Sequence, residues 1–321
     1  MLHITRRAAL ASAAALTATG ARAQAWPTRP VRLINPWTPG GPADTVARPL
    51  ANKLSEALGQ PVVIENRPGA NGTIGANVVA RAAPDGYTLF FSHVGPIAIS
   101  PKFSTVPYDP QKDLAPITQL VSGPIVLLVR PDIPAHSVSE LLALARANPG
   151  EYSYGSVGPG STTHLAGEML ALMGHVQLLH VPYQGAAPVV TDLLGGRLHF
   201  AFLNFSGALA QVQAGGLRAI AVSTERRVSA LPDLPTVAET LPGFEVNSWY
   251  GLMAPAGTPR PIIERVYEES VAAFRAPEIA TGMRSQGFDT VLSTPEQYAD
   301  RIAADLARWG ELARATGIRI G

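Results

Sequence analysis

Apolar runs of five or six residues alternate along this chain with longer segments in which apolar positions recur every three or four residues. The first pattern marks buried strands and the second amphipathic helices. Strands are predicted at 31–35, 61–65, 88–92, 125–129, 198–203 and 217–222. A helix is predicted over 42–58, with Pro42 at its first position, Asp44 near its positive end and Gly59 as terminator. Pro49 inside it removes a backbone donor and predicts a kink. A second helix follows Ser161, aligns Leu165, Met169 and Leu172 on one face, and stops at Gly174. The last helix carries Thr294 as cap, Pro295 at its first position, Gln297 as capping-box partner and Gly317 beyond its end. This alternation predicts an α/β protein with parallel sheets covered by helices.

Three strand-like runs end in glycine-rich loops that open helices: residues 38–44, 155–164 and 183–186. Glycine lets amide groups turn toward a common point, and a helix N-terminus adds partial positive charge there. Several such loops around one cleft form an anion receptor that needs no lysine or arginine. The middle loop adds the hydroxyls of Ser156, Ser161, Thr162 and Thr163 to the amides of Gly158 and Gly160, a donor set suited to a carboxylate. Asn204 ends a strand, where a neutral amide reaches a ligand. Trp37, Tyr183, Phe205, Trp249 and Tyr250 are aromatic candidates for the cleft wall or for core packing.

The N-terminus reads as an export leader: Arg6-Arg7, an apolar stretch over 8–16, and Ala21-Arg22-Ala23 with small residues at the cleavage-determining positions. Cleavage near Ala23 gives a chain that starts at Gln24. Twin-arginine and general secretory export both fit. The loss of Arg6, Arg7 and Arg22 takes the formal charge from +1 to −2, which argues against nucleic-acid or membrane-surface binding. No cysteine is present, so disulfides, thiolate metal sites and thiol nucleophiles are excluded. The remaining length suits two α/β domains. Crossings are expected near 122–124 and 244–254, so a first lobe of 24–124 plus 246–321 encloses an inserted second lobe of 125–245.

Catalytic signatures are sparse. The chain contains no His-Glu-x-x-His, no Gly-x-Ser-x-Gly and no phosphate loop with its lysine. Gly158-Pro159-Gly160 begins like a dinucleotide fingerprint, but Thr163 stands where the third glycine belongs. His93, His136, His164, His175, His180 and His199 lack metal-ligand spacing, and no metal or cofactor is expected. His164 beside Ser161 leaves one enzymatic alternative, an exported serine hydrolase, for which no orienting acid is visible.

The segments 36–44, 65–72, 84–89, 155–164, 181–185, 194–196 and 254–259 together resemble the substrate-binding receptors of tripartite tricarboxylate transporters, the Bug receptors. The likeness runs in order through the whole chain after the leader. It implies a two-lobed type II periplasmic binding protein that closes on a small mono- or dicarboxylate, aromatic acids included. It also implies a monomer that delivers the ligand to membrane transporter subunits; a signalling partner is the alternative. Carried over by position, it nominates Trp37, Gly40, Gly41 and Ala43, then Ser92, then Ser156, Gly158, Gly160, Ser161 and Thr162, then Tyr183, Gly185 and Asn204. Asn204 stands where relatives carry an acidic residue, which weakens the expectation of an amino-acid ligand.

Overall fold

The computed structural model describes residues 26–228 and 231–319, and the leader lies outside them. β1 (Val31–Asn35), α1 (Pro42–Leu58), β2 (Val62–Asn66), α2 (Thr73–Ala80), β3 (Thr88–His93) and α3 (Ser100–Phe103) lead into β4 (Leu114–Val129). Next come α4 (Val138–Ala147), β5 (Ser153–Ser156), α5 (Thr162–Gly174), β6 (Leu179–Pro182), α6 (Ala186–Leu194), β7 (Phe200–Asn204), α7 (Phe205–Gln213) and β8 (Arg218–Val222). β9 (Asn247–Pro255), α8 (Arg260–Arg275), α9 (Pro277–Ser285), β10 (Asp289–Thr290) and α10 (Pro295–Thr316) follow.

The strands form two sheets joined through β4. The first runs in the order β2-β1-β3-β9-β4, with β1, β2 and β3 parallel and β9 antiparallel to its neighbours. The second contains β4, β7, β5 and β6, with β5 parallel to both β6 and β7, and β8 against β4. β4 pairs with β9 from Leu114 to Pro124 and with β7 and β8 from Ile125 onward, so it crosses from one lobe to the other. Asn247 of β9 pairs with Pro124, which places the two crossings side by side. The C-terminal segment returns to the first sheet through β9 and β10.

The predicted strand at 125–129 is the second half of β4. Its first half is interrupted by polar residues that defeat a hydrophobicity reading, yet these are buried and bonded. Thr118 Oγ1 donates to the Ser293 carbonyl at 2.8 Å, and Gln119 N–H donates to Ser293 Oγ at 2.9 Å. α1 is one continuous helix that contains Pro49. The carbonyl that Pro49 leaves without a helix donor belongs to Thr45, on the exposed side of the helix, where it is open to solvent. On its inner face Val46, Leu50 and Leu54 are fully buried in one cluster with Leu33 and Leu89. Burial of side chains of this size is worth roughly 1.5–3 kcal/mol each. That packing holds the N-terminus of α1 at the C-terminal end of β1, where the first glycine loop lies.

Candidate functional site

In both lobes the parallel strands end at one edge, and helices begin there. This edge is where α/β sheets place ligands. The lobes meet across it: Asn71 Nδ2, after β2, donates to the Gly160 carbonyl, after β5, at 2.9 Å.

The first-lobe loop is tied down by one carboxylate. Asp44 Oδ1 accepts from Asn35 Nδ2 at 3.2 Å, and Asp44 Oδ2 accepts from Gly40 N–H at 2.7 Å and from the Arg48 guanidinium at 2.8 Å. Trp37 N–H donates to Asn35 Oδ1 at 3.3 Å. Gly41 caps α1 without a side-chain bond, and Pro42 at the first helical position has no N–H. The donors left over are the amides of Gly41 and Ala43, as expected at a helix start. Gly40, nominated as a donor, has its amide committed to Asp44. Beside the loop, Trp37 Nε1 is buried with no hydrogen-bond partner among the described residues. Its ring meets His93 edge-on at 5.1 Å. His93 Nδ1 accepts from Gly95 N–H at 3.1 Å, so its proton sits on Nε2, which reaches Ser248 Oγ at 3.0 Å. Burial pushes the His93 pKa down to about 3 and keeps the ring neutral.

The second-lobe loop is tied down without charge. Ser161 Oγ accepts from His164 N–H at 3.2 Å, capping α5, and donates to the Gly158 carbonyl at 2.7 Å. Thr163 Oγ1 accepts from Val157 N–H at 3.0 Å, and Ser156 Oγ accepts from Gly158 N–H at 3.1 Å. Gly160 N–H donates to His164 Nδ1 at 3.2 Å. Ser156 Oγ also shares a 2.7 Å hydrogen bond with His180 Nε2. The rings of His164 and His180 stack at 4.1 Å. Burial lowers the pKa of each to about 4, so both are neutral at ordinary pH. The glycines therefore shape this loop, and their own amides serve it. The amides that remain are those of Thr162 and Thr163 in the first turn of α5.

The third loop ends at Gly185 (φ 106°, ψ 176°), which caps α6 with no side-chain bond. Pro188 removes one of the first-turn amides of α6, leaving those of Ala186 and Ala187. Tyr183 N–H donates to the Ser156 carbonyl at 3.0 Å, joining the second and third loops. Its hydroxyl donates to Asp192 Oδ2 at 2.8 Å, and burial with that carboxylate pushes its pKa up to about 12. Tyr183 thus turns its hydroxyl toward α6. Asn204 caps α7, and its Oδ1 is buried with no partner among the described residues. A buried polar atom left in that state loses about 1–3 kcal/mol.

Ser92 stands apart from this group. It is fully buried and bonded to the Tyr298 hydroxyl at 2.8 Å, so it ties β3 to α10. Trp249 and Tyr250 belong to the core: Trp249 Nε1 donates to Asp305 at 2.7 Å, and Tyr250 stacks on Phe91. Sequence reasoning missed Asn71 and His93. Asn71 lies in an Asn-Gly pair that reads as a simple turn, and His93 has no motif around it. The enzymatic alternative meets a geometric obstacle, because Ser161 Oγ bonds to Gly158, Thr163 and the His164 backbone, with no imidazole nitrogen among its partners. A cavity of about 230 Å³ lies beside the β4–β9 crossing, lined by Gly123, Thr224 and Arg226 among others. It holds none of the three helix starts. Among the described residues no group of three His, Asp or Glu side chains forms a metal site, and no helix is long and apolar enough to cross a membrane.

Residues 46–318 match the family described as Tripartite tricarboxylate transporter family receptor. Protein BugT of Bordetella pertussis is 36% identical over 301 residues, covering 93% of this chain and 92% of BugT. Among solved structures, R. palustris Rpa4515 with adipate is 37% identical with a TM-score of 0.83, covering 92% of this chain and 99% of that one. MatC from Rhodopseudomonas palustris with bound malate is 31% identical with a TM-score of 0.80, covering 89% and 99%. The overall fold is shared with these solved structures, and the chain belongs to the tripartite tricarboxylate transporter receptor family of solute-binding proteins.

Proposed function

We propose that this protein captures a small organic carboxylate between its lobes in the periplasm and passes it to a transporter of the tripartite tricarboxylate type. The observation that carries the reading is the donor set at the cleft edge. The helix starts at Gly41–Ala43, Thr162–Thr163 and Ala186–Ala187 offer backbone amides, and no lysine or arginine lies in any of the three loops. Neutral amides at positive helix ends favour a single negative group, worth roughly 0.3–1 kcal/mol per helix end at an exposed site and more when buried. Trp37 Nε1 and Asn204 add a donor and a neutral amide beside that group. Relatives with adipate and malate point the same way.

The reading keeps lobe boundaries at 124/125 and 245/246, supported by the change of partners along β4 and by the start of β9 at Asn247. In this reading the leader through Ala23 is removed, the chain acts as a monomer, and it carries out no chemistry on its ligand. Thermal-shift screening of residues 24–321 against mono- and dicarboxylates, sugars and amines tests the assignment. A carboxylate should raise the melting temperature; stabilisation by a sugar or an amine alone would overturn the ligand class. Ester turnover abolished by Ser161→Ala would restore the hydrolase reading.

A further inference from the structure

At the cleft edge, away from the β4–β9 crossing and the contacts of Glu245 with α10, Asn71 Nδ2 donates to the Gly160 carbonyl and so bonds the first lobe to the second. Both ends of that bond are built. Gly69, Ala70, Asn71 and Gly72 all have positive φ, of 123°, 46°, 53° and 88°. A left-handed backbone is unfavourable for alanine by about 1–2 kcal/mol and is tolerated by asparagine. Such a run persists only where its surroundings hold it. Here Gly72 is wedged against Pro36 and Pro96, and Gly95 leaves room for the Asn71 amide, which lies 3.1 Å from where a Cβ would stand. Asn71 Nδ2 also donates to Ser100 Oγ at 3.2 Å, which fixes its direction. On the other side, Gly160 is held through its own N–H by His164 Nδ1 at 3.2 Å. His164 Nε2 in turn lies 3.6 Å from Glu168 Oε1.

Resting on the receptor reading above, we infer that Asn71 is a closure latch: a positioning residue that touches no ligand but holds the lobes shut by its bond to Gly160, with His164 presenting that carbonyl. A bond made only when the lobes meet stabilises the closed form alone, so it slows ligand release and leaves capture unchanged. Asn71 thereby sets affinity through the off-rate, and the ligand chooses the loops independently of it.

The test uses Asn71→Gly, which keeps the left-handed backbone and removes only the side chain, and Asn71→Asp, which keeps the shape and replaces the donor with a carboxylate. Stopped-flow Trp fluorescence with adipate and with malate reads the rates. Spin labels on two introduced cysteines, Asn52→Cys in the first lobe and Glu151→Cys in the second, read interlobe distance in a chain that has no cysteine of its own. Asn71→Gly should speed release about tenfold with the association rate within about twofold, and Asn71→Asp should speed it further. The effect of His164→Ala should not add to that of Asn71→Gly, since both act through one bond. In both Asn71 variants the labels should show a smaller closed fraction. Unchanged release and an unchanged distance distribution in Asn71→Gly would overturn the latch. If wild type binds neither acid, the receptor reading fails for these ligands, while the ligand-free distance distributions of wild type and Asn71→Gly still decide the latch.

Discussion

The first-lobe and second-lobe loops reach the same end by different chemistry. In the first, a single buried carboxylate, Asp44, gathers Asn35, Gly40 and Arg48. In the second, hydroxyls and two neutral imidazoles do the gathering, and among the described residues no charged side chain bonds to the loop backbone. Each loop spends glycine amides internally, Gly40 on Asp44 in the first and Gly158 and Gly160 on Ser156 and His164 in the second, and leaves amides at its helix start without an internal partner. A helix start can therefore be aimed by a fixed charge or by a neutral network. The two devices differ in how they fail: the first depends on one side chain, and the second on histidines staying unprotonated.

Acid should separate the two most strongly. His164 and His180 have folded pKa values near 4, below the unfolded value near 6.5. The unfolded chain then binds more protons between these values, so their stabilising contribution is complete above about pH 6.5, declines below it and is gone by about pH 4. His93, with a pKa near 3, contributes with the same sign from the first lobe. A fall from 6.5 to about 4 corresponds to about 3 kcal/mol for His164. Urea unfolding of the ligand-free protein at pH 7.5, 5.5 and 4 should show the loss, and His164→Phe should flatten part of the slope. Equal stability at all three pH values would remove the distinction between the loops.

Asp44→Ala should break the first loop at any pH. It strips the Asn35 amide and Gly40 N–H of their partner, at about 3 kcal/mol, and carboxylate binding should fall at least tenfold. Circular-dichroism melts and calorimetry check both numbers, and wild-type binding by the variant would show that the loop needs no anchor.

Glycine variants sharpen the contrast on a smaller scale. Gly158 has φ 121°, and a Cβ there would meet only the Tyr183 carbonyl at 3.5 Å. Space is available and the backbone angle is not. Gly158→Ala should destabilise the ligand-free protein by about 1–3 kcal/mol as well as weakening binding, so a bulky substitution such as Gly158→Val acts on stability as much as on ligand approach. Ser161→Ala removes the α5 cap and should lower stability by about 1 kcal/mol, with the pH dependence kept. Denaturant melts of both variants rank the effects.

Much of the layout was legible in the sequence because period and punctuation agree there. The caps at Ser161 and Thr294, the stops at Gly59 and Gly317, and the strands before each glycine loop need only local rules. The parts that escaped depend on distant partners. The first half of β4 hides its strand behind Thr118 and Gln119, where the Thr118 hydroxyl and the Gln119 backbone N–H bond to Ser293 some 175 residues away. The three loops were legible, but which of their glycine amides stay free was not: Gly40, Gly158 and Gly160 spend their N–H groups inside the loops. Glycine content predicts where a loop bends, whereas the fate of each N–H depends on side chains such as Asp44, Ser156 and His164 that fold back on it. Asn71 was invisible for the same reason, since its partner lies in the other lobe.

The central claim is that neutral amides at paired helix starts hold a carboxylate. Calorimetric titration of the protein at pH 7.5 with short aliphatic and aromatic acids, each beside its uncharged amide, tests it most directly. At least one acid should bind at a single site with a micromolar or tighter Kd while its amide does not bind. Equal binding of acid and amide, or binding of sugars or amines with no acid bound, would contradict it.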